Sequence, residues 1–76
     1  MAQILSIDDE ALLAKSLSRS LAHRGHECQI AGTAEDGLRL LRTAMPDVVL
    51  LDLQLPGMSG LEALRQVLEF DPNIVV

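Results

Sequence analysis

Acidic residues stand at two points of the sequence where an apolar segment ends. Residues 8–10 (Asp-Asp-Glu) follow the largely apolar run 4–7, and Asp52 interrupts the apolar run 48–53. An unpaired acid within an apolar strand is rare, because a buried charge is costly unless it is paired. Two carboxylates about 4 Å apart repel each other by about 4 kcal/mol at an effective dielectric constant of 20. Acids that meet in so small a domain therefore need a cation or a proton between them.

Oxygen ligands in an open, hydrated site suit Mg²⁺, which binds through one or two carboxylates together with phosphate oxygens. A carboxylate beside such an ion can act as a nucleophile and form an aspartyl-phosphate. The residues thus predict a divalent-cation pocket of Asp8, Asp9 and Asp52, in which Asp52 takes up a phosphoryl group. Simpler interpretations exist for both segments. Residues 8–10 are also typical of a helix N-terminus, and a strand-end acid can cap a loop.

Short apolar segments and amphipathic segments alternate along the chain and must position these acids. After the first strand, leucines at every fourth position predict the apolar face of a helix that ends at Gly25. These leucines are Leu13, Leu17 and Leu21. Residues 27–31 predict a second strand. Thr33, three residues before Asp36, predicts a capped start of the second helix.

In that second helix we expect Glu35 and Arg39 to pair on the outer face. Residues 45–47 (Met-Pro-Asp) end it, and the four aliphatic residues 48–51 predict a strand covered on both faces. A third helix is expected over residues 61–69, followed by a further strand from residue 74. Its inward-facing residues are expected to be Leu61, Leu64 and Leu68.

The resulting pattern is β-α-β-α-β-α-β without an internal linker. Such alternation predicts an α/β fold with a parallel sheet and right-handed crossovers. Ligands of these sheets bind beyond the carboxyl ends of the strands, where the strand order reverses. Asp8 and Asp9 come just after the first strand, and Asp52 comes near the end of the third. If these two strands are neighbours, the three carboxylates share one crevice.

Composition excludes several classes of function. With 76 residues the chain is one domain or part of one. A net charge of −5 and six scattered basic residues argue against binding to nucleic acid or anionic membranes, and Phe70 alone offers no stacking platform. Cys28 is the single cysteine, which fits a reducing compartment. We find no transmembrane stretch and no signal peptide, so we expect a cytoplasmic protein without membrane contact.

The chain resembles the receiver domain of bacterial two-component response regulators, the CheY-like fold. The resemblance is carried by residues 8–10 and by residues 52–60, Asp-Leu-Gln-Leu-Pro-Gly-Met-Ser-Gly, which are similar to that family's phosphoacceptor loop. It covers the whole chain, residues 1–76. It implies a flavodoxin-like, doubly wound parallel sheet with strand order 2-1-3-4, which is the first part of a (βα)₅ receiver.

The resemblance also implies roles for individual residues. Asp52 would be the phosphoacceptor, Asp9 would ligate Mg²⁺ directly, and Asp8 would ligate it through water or as a second ligand. The backbone carbonyl of Gln54 would complete the coordination, and its side chain would border the phosphoryl group. The donor would be a phosphohistidine on a sensor histidine kinase or a phosphotransfer protein. The domain would act as a switch rather than an enzyme, and would control an output domain, for example a transcriptional one.

The chain departs from the family at its end. A receiver has five strands, and this sequence stops within the fourth, so we expect an incomplete domain. In the family, a hydroxyl residue after the fourth strand couples phosphorylation to a conformational change, and a lysine after the fifth strand pairs with the phosphoryl group; both are missing from these residues. Without them we expect weak Mg²⁺ binding, poor switching and a partly bare sheet face. An open fourth strand can pair with another chain, so we also expect self-association or exchange of segments.

Two alternative functions stay open at this point. One is a receiver-shaped interaction module that is not phosphorylated in this form. The other is an aspartyl-phosphate phosphohydrolase, which typically has a second acid two residues after the nucleophile, where this chain has Gln54. Pro56 and Gly60 are interpreted as turn residues that shape the loop.

Overall fold

The computed structural model describes residues 1–55 and 57–76. Within these residues, strands and helices alternate along the chain as the sequence predicts. The elements are β1 (Gln3–Ile7), α1 (Ala11–His23), β2 (Glu27–Ala31), α2 (Ala34–Ala44), β3 (Val48–Leu51) and α3 (Gly60–Phe70). The expected fourth strand is represented by Val75, which forms a single parallel bridge with Val48. Pro56, which was expected to shape the loop after β3, lies outside the described residues.

The three strands form a parallel sheet in which β1 lies between β2 and β3. Ile7, the last residue of β1, lies opposite Ala31 of β2 and Leu51 of β3. The chain passes from β1 to β2 on one side and then to β3 on the other side, so the strand order reverses beside β1. The predicted flavodoxin-like, doubly wound arrangement is confirmed, with the order 2-1-3. The point of reversal, between β1 and β3, is where such folds bind ligands.

The two faces of the sheet carry different helices. Successive side chains of a strand point to opposite faces, so Leu5 and Ile7 share one face and Ile4 and Ser6 share the other. Helices α2 and α3 pack on the first face, and α1 packs on the second. The buried residues of the first face are Leu5, Ile7, Ala31, Ala34, Leu41, Val49, Leu55, Ala63 and Val67. This core anchors β1 and β3, the two strands that precede the acids.

Helix α2 begins with the predicted cap. The side-chain oxygen of Thr33 accepts a hydrogen bond from the backbone N–H of Asp36 at 3.1 Å, which satisfies one of the unpaired donors of the first turn. The predicted pair of Glu35 and Arg39 is wrong, because Arg39 instead pairs with Asp36 at 2.6 Å. Residues three apart also face each other on a helix, and this pair lies on the exposed surface. Met45, in a left-handed conformation with φ 47°, ends the helix.

The face that α3 turns toward the sheet differs from the prediction. The leucines expected to point inward, Leu61, Leu64 and Leu68, do not form its buried face. Leu61 is 72% exposed and Leu68 is 38% exposed. The residues that are buried are Gly60, Ala63 and Val67. Small side chains allow the helix axis to lie close to the sheet. Leu61 and Leu68 are left toward solvent, and Leu64 is half-buried.

Helix α1 shows the same behaviour on the other side of the sheet. Its buried residue is Ala14, whereas Leu13 is 62% exposed and Leu17 is 39% exposed. These leucines border an open groove of about 620 Å³ between α1 and the face of β3, whose floor includes Ser6 and Leu50. The groove extends to Asp8 and Asp52. The expected bare part of one sheet face stays a prediction.

Candidate metal and phosphoryl site

The register of β1 against β3 brings two of the predicted acids side by side. Ile7 lies opposite Leu51, so the next residues in each strand, Asp8 and Asp52, are neighbours at the carboxyl edge. The ladder continues up to both residues. The backbone N–H of Asp52 donates to the carbonyl of Ile7, and that of Asp8 donates to the carbonyl of Ala31, each at 3.0 Å. The sheet thus holds the backbone of both acids.

The side chains of Asp8, Asp9 and Asp52 converge. One carboxylate oxygen from each lies within 4.8 Å of the others. Asp8 and Asp52 are half-buried, and Asp9 is exposed in the short segment between β1 and α1. In an octahedral Mg²⁺ site with bonds of about 2.1 Å, opposite ligands lie about 4.2 Å apart. Adjacent ligands lie only about 3.0 Å apart. The three oxygens can therefore hold Mg²⁺ only if the side chains move closer together, or if water stands between an acid and the ion.

Local hydrogen bonds orient two of the three carboxylates. Asp8 accepts the backbone N–H of Glu10 on Oδ1 at 2.9 Å. Asp52 accepts the backbone N–H of Gln54 on Oδ1 at 3.0 Å. In each case the side chain bonds the backbone two residues later, a turn typical of aspartate after a strand. A carboxylate has two oxygens, so Oδ2 of each residue is available to a cation or to a reacting group.

The electrostatic surroundings of these acids are negative. The described lining of the groove beside them contains Asp8, Glu10 and Asp52 and no lysine or arginine. The ion pairs of the described residues lie elsewhere, on the outer surfaces of α2 and α3. Within the described part of the chain, no basic side chain neutralises the acids, so a bound cation would relieve their repulsion.

The loop after β3 is held by the start of α3. The backbone N–H of Gly60 donates to the carbonyl of Leu53 at 3.3 Å, and Ser59 caps the helix by accepting the N–H of Glu62 at 3.1 Å. Gly57 has φ +85°, a conformation that other residues rarely adopt. Gln54 is exposed beside Asp52. The role of its carbonyl as a metal ligand stays a prediction.

Sequence reasoning missed two features of this site. It did not foresee the apolar groove that joins the acids to Leu13 and Leu17, because it placed those leucines in the core. It also treated Gly60 as turn chemistry, although Gly60 is buried against the residue that follows Asp52. A signal for the first was present: Ala14 follows Leu13 in the sequence, and a small side chain can face a sheet at short distance.

No helix among the described residues is both long and apolar enough to cross a membrane. The sequence profile of the response regulator receiver domain matches residues 4–76. The chain is similar to response regulator GacA of Pseudomonas aeruginosa, with 42% identity over 79 aligned residues that cover 100% of this chain and 36% of GacA. It is also similar to the transcriptional regulatory protein AfsQ1 of Streptomyces coelicolor, with 39% identity over 71 residues that cover 93% of this chain and 32% of AfsQ1.

The chain thus spans about a third of the length of these two relatives. Its fold is similar to the crystal structure of response regulator protein TrrA from Thermotoga maritima in complex with Mg²⁺-BeF. The TM-score is 0.90 at 31% identity, and the match covers 97% of this chain and 64% of that one. The resemblance inferred from residues 8–10 and 52–60 is confirmed. The chain belongs to the family of response regulator receiver domains of two-component systems.

Proposed function

We propose that this chain is the phosphoacceptor portion of a response regulator, and that Asp52 accepts a phosphoryl group in a Mg²⁺-dependent reaction. The observation that carries the proposal is the convergence of three carboxylate oxygens within 4.8 Å at the carboxyl edge of the sheet. Since the described groove lining contains no basic residue, these acids need a cation. The Mg²⁺-BeF complex of the similar protein TrrA lends support to this assignment.

The proposed division of labour follows from the geometry of each acid. Asp9 is exposed and can reach an ion directly, whereas Asp8 is turned by its bond to the N–H of Glu10 and acts through water or as a second ligand. Asp52 is oriented by Gln54, which occupies Oδ1 and leaves Oδ2 as the nucleophile. When bound, Mg²⁺ offsets the charge that builds up on the transferred phosphoryl oxygens.

In the transfer step, Oδ2 of Asp52 bonds to phosphorus as the bond from phosphorus to the donor's imidazole nitrogen breaks. The released imidazole keeps the electron pair and takes up a proton from solvent. The aspartyl-phosphate then places two negative charges beside Asp8 and Asp9, where repulsion favours a change in the surrounding loops. Gln54 borders this group, and its backbone carbonyl is the proposed additional metal ligand. An amide at this position offers no carboxylate to activate water, which disfavours a phosphohydrolase.

The partners follow from the same proposal. The donor is a phosphohistidine on a sensor histidine kinase or phosphotransfer protein, and the reader is an output domain outside these residues. Relatives named as transcriptional regulators support a role in transcription. The segment itself, with net charge −5, makes no direct contact with nucleic acid. We place the protein in the cytoplasm, where such donors act.

The test is incubation of the chain with acetyl phosphate and Mg²⁺, followed by intact-mass measurement. We expect one phosphoryl group per chain, which is absent in Asp52→Asn and absent when EDTA replaces Mg²⁺. Asp36→Asn is the matched control, because Asp36 lies on the outer surface of α2 and pairs with Arg39. Sustained release of phosphate would support a hydrolase instead. Mg²⁺ binding without any labelling would support an interaction module.

A further inference from the structure

Gly60, the first residue of α3, lies directly against the backbone of Leu53. A methyl group at Gly60 would lie 2.7 Å from the carbonyl carbon and oxygen of Leu53, and closer still to its Cα. Carbon atoms in favourable contact are about 3.5–4.0 Å apart. The obstacle is backbone rather than a side chain, so it cannot rotate away. Any side chain at this position must push α3 and Leu53 apart by several tenths of an ångström or more.

Leu53 is the central residue of the turn that orients the phosphoacceptor. It stands between Asp52 and Gln54, whose side chain and backbone N–H are joined at 3.0 Å. On the strand side, the N–H of Asp52 is held by the carbonyl of Ile7 at 3.0 Å. The sheet therefore resists movement on that side. A displacement of Leu53 must be taken up in the turn itself, where it moves the Asp52 carboxylate and the Gln54 carbonyl.

We propose that Gly60 is a positioning residue for the phosphoacceptor site, because its lack of a side chain lets α3 seat against Leu53 and fix the turn from Asp52 to Gln54. The inference rests on the function proposed above and extends it to a residue that contacts neither metal nor phosphate. Metal sites tolerate ligand displacements of about 0.2 Å. A misplacement of about 1 Å in a reacting group can cost roughly 100-fold in rate.

Gly25 provides a matched control for Gly60. It has φ +84° and no atom within 4 Å of an added methyl group, so Gly25→Ala destabilises the fold through backbone strain alone. Gly25 lies in the turn between α1 and β2, before β2 begins, and therefore at the opposite end of the sheet from the acids. It tests whether loss of stability by itself weakens the site.

The experiment is a titration of the whole chain with Mg²⁺ alone. Amide chemical shifts report the binding and give the Kd, at a temperature where each variant is folded. We expect Gly60→Ala to bind Mg²⁺ at least tenfold more weakly than the wild type. Gly25→Ala should bind within twofold of the wild type. A folded Gly60→Ala whose Kd lies within twofold of the wild type overturns the inference. A similar loss of affinity in Gly25→Ala also overturns it.

A second measurement on the wild type decides the matter if Gly60→Ala does not fold. Coupling between two sites is reciprocal. If the contact of Gly60 with Leu53 affects Mg²⁺ binding, then Mg²⁺ binding must also stabilise that contact. Saturating Mg²⁺ should then slow hydrogen exchange of the Gly60 amide at least fivefold more than that of the Asp36 amide, which lies at the capped start of α2. Equal slowing of the two amides overturns the inference.

These outcomes also separate the inference from the proposed function. A wild-type chain that neither binds Mg²⁺ nor takes up a phosphoryl group refutes the proposed function and the inference together. A wild-type chain that does both, with a Gly60→Ala variant that matches it, refutes the role of Gly60 and leaves the assignment of Asp52 intact.

Discussion

Replacing Asp52 with asparagine should stabilise the metal-free protein. The carboxylate oxygens lie within 4.8 Å of one another, and two unit charges at that limit repel by about 3.5 kcal/mol at an effective dielectric constant of 20 and by about 0.9 kcal/mol in water. Asp8 and Asp52 are half-buried and Asp9 is exposed, so solvent screens much of this repulsion. Asparagine keeps an oxygen that can accept the N–H of Gln54. We therefore expect a net gain of about 1–2 kcal/mol in the free energy of unfolding, measured without divalent cations.

The assay is thermal unfolding followed by circular dichroism, with EDTA or with saturating Mg²⁺. For a domain of this size, about 1 kcal/mol shifts Tm by roughly 4–8 °C. In EDTA we expect Asp52→Asn to melt above the wild type, and a high salt concentration should narrow the gap. With Mg²⁺ the wild type should gain stability through binding, and Asp52→Asn should gain much less. The control Asp36→Asn should not melt above the wild type in EDTA, and with Mg²⁺ it should gain as much stability as the wild type does.

One result would refute this reasoning about repulsion. If Asp52→Asn melts below the wild type in EDTA, the acids do not repel one another strongly enough to outweigh the other effects of the substitution. If Mg²⁺ raises Tm equally in both proteins, Asp52 is not a ligand, and the cation binds elsewhere.

Three further predictions concern the packing, the pH dependence and the association of the chain. Val67→Ala, at a fully buried position of α3, should cost about 2 kcal/mol in urea unfolding. Leu61→Ala, on the exposed face, should stay within about 0.5 kcal/mol of the wild type; a larger cost would show that the leucine face is buried. Arg65 lowers the pKa of Glu62 to about 2, so any stability from this pair is present above the ordinary pKa of 4.5 and is lost as the pH falls toward 2. The urea midpoint of Glu62→Gln should therefore depend less on pH over that range, and an unchanged slope would argue against the pair. Among the described residues, Val75 alone pairs with the outer side of β3, so size-exclusion chromatography with light scattering on the 76-residue chain by itself should show self-association, and a folded monomer would contradict it.

Much of the fold could be predicted from local patterns. The strands over residues 48–51 and 27–31 are confirmed, as is the cap at Thr33. Each of these features depends on residues that are neighbours in sequence. The strands follow from runs of apolar and β-branched residues, and the cap follows from a hydroxyl three residues before an acid. The meeting of Asp8 with Asp52 was also predictable, because two parallel neighbouring strands end at the same edge of their sheet.

The faces of the helices could not be read in this way. Periodic leucines show that a helix has an apolar side, but they do not say which side meets the sheet. In α3 the close seat of Gly60 and the small side chain of Ala63 turn Leu61 outward, and in α1 Ala14 is buried while Leu13 borders the open groove. The side that faces the sheet depends on how closely the helix packs against it. That distance is set by the side chains of both elements together.

The sequence by itself determined the order of the elements, the identity of the three acids and their place at the ends of strands. These follow from side-chain type and spacing, which are local. Only the tertiary structure decided which carboxylate oxygens accept backbone N–H groups, which acid pairs with Arg39, and that Gly60 touches the residue after Asp52. Those features depend on strand register, on side-chain rotamers and on how closely a helix packs against the sheet. All three are set only when segments distant in sequence pack against one another.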